Sequence, residues 1–209
     1  MTSQSRTTAD LVAAALREEV LGGGFEPGQP LREERVAARF GVSRHTVRSA
    51  FASLAAERLL TAEPFHGVRV STFDEAQVTG LQQLRTALEC EAVRIAGERG
   101  LDRADVERAI DRLADAERRD GEWIEVERAH AAVHQAIVDA AGSRRLSDTY
   151  RTLEGELALL LLHTRALFSN RDLADEHRVL LTRIDLIGPE AIREHIAEST
   201  RHLLDGGRP

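Results

Sequence analysis

A chain of 209 residues with 42% hydrophobic content can bury a real core and is long enough for a small domain beside a larger one. The single Cys90 excludes an intramolecular disulfide framework. No run approaches the roughly 18 apolar residues of a membrane span, and Met1 to Asp10 is polar with no signal-peptide core, so a cytoplasmic protein with no membrane partner is expected. A net charge of −7 argues against a nucleic-acid binder, yet from Arg32 to Arg58 the residues Arg32, Arg35, Arg39, Arg44, Arg48 and Arg58 outnumber Glu33, Glu34 and Glu57. All 28 basic residues are arginine, so part of that richness is compositional bias and the arginine count alone carries little weight.

Thr7 to Leu21 places Leu11, Ala14, Ala15, Leu16 and Val20 at helical spacing, and three glycines end it. Phe25 to Leu31, with two prolines around a glycine, reads as an irregular connection. Glu33 to Leu54 then reads as two short helices around a tight turn. Val36, Ala37 and Phe40 form one apolar stripe, Gly41 supplies the bend, Ser43 is an N-cap, and Val47, Ala50, Phe51 and Leu54 resume the stripe. His45, Arg48, Ser49 and Ala52 lie opposite that stripe, with Arg44 at the N-terminal flank. Polar donors on the outward face suit base edges and phosphates in a major groove; a small helical core with solvated arginines is the competing reading. Two β-capable runs follow, Arg58 to Ala62 and Val68 to Ser71, separated by a Pro and Gly turn. A hairpin directly after a helix-turn-helix is a wing, which brings His66 near DNA or leaves it a solvated turn residue.

The run LREERVAARFGVSRHTVRSAFASLAAERLLTAEPFHGVRV resembles the winged-helix head of GntR-type bacterial transcription regulators, with Phe51 and Arg58 standing where that pattern has Leu and Gly. The resemblance implies DNA contact by Arg44 and Arg48 and an operator preference set in part by His45 and Thr46. With their neighbours, the candidate DNA-binding set is Arg35, Arg44, His45, Thr46, Arg48, Ser49 and His66.

From Phe73 onward the chain carries no convincing strand and reads as an all-α bundle. Its expected helices are Asp74 to Arg99, Leu101 to Arg119, Gly121 to Ala141, Arg145 to Phe168, a fifth from Ser169 and a sixth from Gly188-Pro189. HAAVHQAIVDAAGSRRL at 130–146 and Glu176-His177-Arg178 resemble the FadR C-terminal-domain (FCD) class of GntR regulators. The fold expected is therefore mainly α: a winged helix-turn-helix DNA-binding domain over 1–73 and an all-α effector-binding and dimerisation domain over 74–209.

Six of the eight histidines lie between 130 and 202. His130 and His134 are one turn apart on a face shared with Val126, Ile137 and Ala141, and His177 shares a face with Leu173, Leu181 and Ile184, so the three suit one metal ion. Satisfied core histidines are the competing reading for any one of them. The FCD resemblance implies an Asp and a His four apart, the His of E-H-R, and a last-helix His. Those positions fall on His130, His134, His177 and Ser199, so an imidazole replaces a carboxylate and a last-helix ligand is missing, with His195 or His202 one turn away to compensate. Imidazole in place of carboxylate favours Zn²⁺ or Ni²⁺ over Mn²⁺ or Mg²⁺. Arg85, on an apolar helix face, either pairs with Glu89 or binds an effector; the resemblance implies a small carboxylic acid, with His163 lining the same cavity.

The reading that results is an effector-controlled transcription regulator, homodimeric on a two-fold symmetric operator. A metal-dependent enzyme is the alternative, but HAAVH lacks the Glu that HExxH supplies as general base. A regulator with an empty, degenerate pocket is a third reading.

Overall fold

The structure is a computed structural model, and it describes residues 6–63, 67–100, 103–119, 123–167 and 172–206. The chain divides into two compact units, 1–72 and 73–209.

In the first unit, α1 (Thr8–Leu21) is opened by a capping box between Thr7 and Asp10. Its buried stripe is Val12, Ala13, Leu16 and Val20, whereas Leu11, expected inside, is 53% exposed. Leu16 and Val20 pack against α3 (Arg44–Ala56) with Val47 and Leu54, all fully buried, and each such side chain contributes roughly 1.5–3 kcal/mol of burial. Between them lies α2 (Glu33–Phe40), which ends at Gly41 with φ +65°, the left-handed conformation that glycine adopts without a Cβ penalty. The Ser43 Oγ then accepts the N–H of Thr46 at 3.1 Å and starts α3.

At the far end of α3 the N–H of Leu59 returns to the Leu54 carbonyl and the N–H of Arg58 to that of Ala55, a Schellman closure. The residue that must turn left-handed there is Arg58, with φ +58°. The chain continues into β2 (Leu60–Glu63) and β3 (Gly67–Val70), an antiparallel pair. The FEPGQPL segment is not wholly irregular: Pro30–Leu31 forms a short strand, β1, that pairs with β3 and completes a sheet of order β1-β3-β2. Pro30 is tolerated because β1 is an edge strand.

The second unit is helical throughout its described residues: α4 (Glu75–Arg99), α5 (Ala104–Arg118), α6 (Trp123–Asp139), α7 (Arg144–Arg151), α8 (Glu154–His163), α9 (Leu173–Ile187) and α10 (Pro189–Gly206). The single helix expected over 145–168 is two, since Thr152 and Leu153 close α7 before α8 begins, and a 3-10 turn follows at Arg165–Leu167. The break lets Tyr150 point into the core while Leu159 and Leu160 fill another part of it. Helix α6 packs on α4 and α5, and α10 on α4 and α9. The start of α9 is fixed from α5, whose Glu117 carboxylate accepts the N–H groups of Leu173 and Ala174.

Candidate functional site

On α3, Arg44, His45, Arg48 and Ser49 are exposed, Thr46 is half-buried, and Arg35 is exposed on α2. His66 lies outside the described residues. Both arginines of the outward face are held by one carboxylate, with Arg48 Nε 2.9 Å and Arg44 Nη2 3.2 Å from Glu33, and Glu34 adds a contact to Arg44 at 2.9 Å. The pairs are solvent-exposed, so they orient the guanidinium groups at little energetic gain.

In the second unit α6, α9 and α10 bring imidazoles to one place, and α4 sets Arg85 and Glu89 beside them. The rings of His130, His134 and His177 stand 4.8–4.9 Å apart, centroid to centroid, and His195 of α10 is 5.0 Å from His177 and 5.5 Å from His134. Potential ligand atoms of His130, His134 and His177 all lie within 4.8 Å of one another. His134 Nδ1 donates to Glu89 Oε2 at 3.0 Å, and His177 Nδ1 donates to the Leu173 carbonyl at 2.6 Å. These bonds put the protons on Nδ1 and leave two Nε2 lone pairs facing each other across 2.9 Å. Two acceptors at that separation repel unless a cation or proton lies between them, and a carboxylate or carbonyl behind each ring is the arrangement that orients metal-binding histidines. The donor set fits a divalent transition ion.

Arg85 takes the first of the two roles considered for it, the pairing with Glu89. Its Nε donates to Glu89 Oε1 at 2.7 Å, and its Nη2 reaches His134 Nε2 at 2.6 Å while the side chain also lines the cavity beside the histidines. Glu89, completely buried, is matched by donors from Arg85, His134 and the Tyr150 hydroxyl at 2.7 Å, so the charge is compensated rather than stranded. Burial opposes the Arg85 charge, but Glu89 and Tyr150 outweigh it and raise its pKa. Burial, reinforced by neighbouring positive or potentially positive groups, holds His130, His134 and His195 well below the usual histidine range, so they are neutral at pH 7 and available as ligands.

A cavity of about 510 Å³ opens beside the cluster, lined by Arg85, Trp123, Glu127, His130, His177, His195 and Ser199 among others. A second, of about 180 Å³, shares Arg85, Glu127, His130 and Leu161 with it. Ser199 therefore faces the same space as His195. His202 is exposed and outside the cluster. His163 is also elsewhere: its ring meets Phe73 edge-on at 5.9 Å, and the cavity walls are formed instead by Leu161 of the same helix. Sequence reasoning missed Tyr150, Trp123 and Glu127. Glu127 lies one turn before His130 on the same face of α6, and that spacing was a usable signal.

An N-terminal winged helix-turn-helix followed by a helical domain with a ligand-sized cavity defines a transcription regulator rather than an enzyme. The profile described as "Bacterial regulatory proteins, gntR family" matches residues 8–70 and that of the "FCD domain" matches residues 81–203. The chain belongs to the GntR family of bacterial regulators, in its FCD-domain class. It is similar, at 28% identity over 93% of this chain and 90% of the other, to a D-xylose utilization operon transcriptional repressor of Paenarthrobacter nicotinovorans. To the transcriptional repressor GlaR of Escherichia coli strain K12 it is 31% identical over 63% of this chain and 62% of the other. The crystal structure of a GntR transcriptional regulator from Rhodococcus sp. RHA1 superposes with a TM-score of 0.78 at 26% identity, covering 96% of this chain and 99% of that one. Among the described residues no helix is long and apolar enough to cross a membrane.

Proposed function

We propose that the chain acts in the cytoplasm as a homodimer on a two-fold symmetric operator, with α3 in the major groove, and that its DNA affinity is controlled by a small carboxylic acid bound in the second unit beside a metal ion. Arg35, Arg44, His45, Thr46, Arg48 and Ser49 form the DNA-facing set; a single recognition helix reads few base pairs, and two related by symmetry give usable specificity. The observation that carries the sensing half is the pair of Nε2 atoms of His134 and His177 facing each other at 2.9 Å, each ring oriented by an acceptor at its Nδ1.

His130, His134 and His177 would hold the ion, with His195 or the effector completing its shell, and an all-imidazole set favours Zn²⁺ or Ni²⁺. A bound cation there supplies a positive anchor for a carboxylate. A metal on the His134 lone pair would displace the Arg85 Nη2 that donates to it, and that freed guanidinium edge, in the same cavity wall, is the second anchor for the carboxylate. The test is an operator selected from a randomised duplex pool, followed by a thermal-shift screen of carboxylic acids on the Zn²⁺-loaded protein. Arg85→Ala is expected to abolish the acid-dependent change in operator affinity while ligand-free DNA binding survives. A full response in a destabilised Arg85→Ala protein would reduce Arg85 to a structural partner of Glu89.

A further inference from the structure

The acid proposed above leaves part of the cavity wall uncommitted, where Glu127 and Trp123 stand one and two turns before His130 on α6. Glu127 is 5% exposed, lines both cavities, and its Oε1 has no hydrogen-bond partner among the described residues. Trp123, one turn earlier on α6, lines the larger cavity with its indole N–H likewise unpartnered among them. A buried carboxyl without a partner is costly in the ligand-free protein, which is the usual mark of a group held for a ligand.

The sign of that ligand group follows from the surroundings. Among the charged residues that line the cavity, the acids Glu127, Asp172, Asp175, Glu176 and Glu198 outnumber Arg85 and Arg183. Of its two arginines, Arg183 is paired with Glu194 and Arg85 stands at His134, so neither offsets the carboxyl of Glu127. Burial, with Glu154 adding repulsion and Arg128 relieving a part, pushes the Glu127 carboxyl up to about 7, so a cation arriving there would be met by a group that gains from ionising. An indole beside it adds an aromatic surface that favours an ammonium over a neutral group.

We infer that the effector is a zwitterion, an amino acid in the broad sense, whose carboxylate is held at Arg85 and the histidine cluster and whose ammonium is held by Glu127 beside Trp123. This rests on the carboxylate-binding reading of the site but adds the second pole, and the two are separable. The Zn²⁺-loaded full chain is titrated calorimetrically with three matched probe series: unbranched ω-amino acids of increasing length from glycine to 6-aminohexanoate, the corresponding unsubstituted acids, and the corresponding primary amines. The expected result is that the best amino acid binds roughly tenfold to a hundredfold more tightly than its deaminated counterpart, the discrimination a buried charged hydrogen bond gives. Glu127→Gln, which keeps shape and fold, is expected to erase that preference and leave the binding of the plain acid unchanged. Plain acids that bind as well as amino acids, with no effect of Glu127→Gln, would overturn the zwitterion and leave the carboxylate site standing. Glu127-dependent binding of the amines alone would uphold the ammonium site and remove the carboxylate one, and no binding in any series would remove both.

Discussion

Glu89 is the residue on which the second unit's polar core depends. Three donors meet its two oxygens, and only one of them, Arg85 one turn away on α4, was legible in the sequence. Spacing along one helix reveals such a partner, whereas His134 and Tyr150 arrive from other helices and leave no local signature. Glu127 was within reach of the same local reasoning, one turn before His130 on α6, although its Oε1 has no hydrogen-bond partner among the described residues. Its carboxyl titrates near 7 in the folded chain against an ordinary value near 4.5, so the folded state holds the proton more tightly. The resulting stabilisation is complete below about pH 4.5 and is lost as pH rises through 7. Relative to the wild type, Glu127→Gln is therefore expected to gain about 2 to 3 kcal/mol between pH 5 and pH 8, read from urea denaturation of the metal-free proteins. A constant difference across that range would mean the carboxyl titrates normally. Arg58 gives a second prediction at this scale, since it holds φ +58° where a left-handed residue closes α3. Arg58→Gly is expected to raise stability by about 1 kcal/mol, because a non-glycine residue in that conformation costs roughly 1–2 kcal/mol; a lower melting temperature would show that the Arg58 side chain contributes more than its backbone costs.

At the scale of elements, the helix-turn-helix was readable almost residue by residue because each signal is local: the left-handed Gly41, the Ser43 cap and the stripe Val47, Ala50, Phe51 and Leu54. The strand β1 was not, since two residues carry no period, and only the pairing of Pro30 with Arg69 and of Leu31 with Val68 defines them as a strand. The division of 145–168 into α7 and α8 was hidden for a different reason. Thr152 and Leu153 carry no break residue of their own, and the nearby Gly155 falls inside the first turn of α8 rather than at the boundary. The element whose function is most exposed to test is α3. Arg44→Ala and Arg48→Ala are each expected to weaken operator binding by about 1 to 3 kcal/mol without loss of fold, checked by fluorescence anisotropy on the selected duplex. Unchanged affinity in both would remove α3 from the groove. Both arginines lean on Glu33, so each substitution leaves that half-buried carboxylate with one guanidinium fewer to neutralise it, which adds to the lost contact.

At the scale of the whole molecule, the basic surplus between Arg32 and Arg58 sits in the unit that carries the helix-turn-helix, while the imidazole cluster and both cavities lie in the other. An acidic chain thus carries a local basic surplus suited to DNA on one unit, and its buried polar network lies in the other. The central claim is that the second unit's histidine site governs DNA binding by the first. The most direct test is the operator affinity of wild type and His134→Ala/His177→Ala, each measured metal-free, with Zn²⁺, and with Zn²⁺ plus an acid that stabilises the wild type. The account predicts that the variant binds the operator as the metal-free wild type does, retains no stoichiometric metal, and shows no response to the acid that shifts the wild-type affinity. A variant that still holds one metal per chain and responds to the acid like the wild type would contradict it.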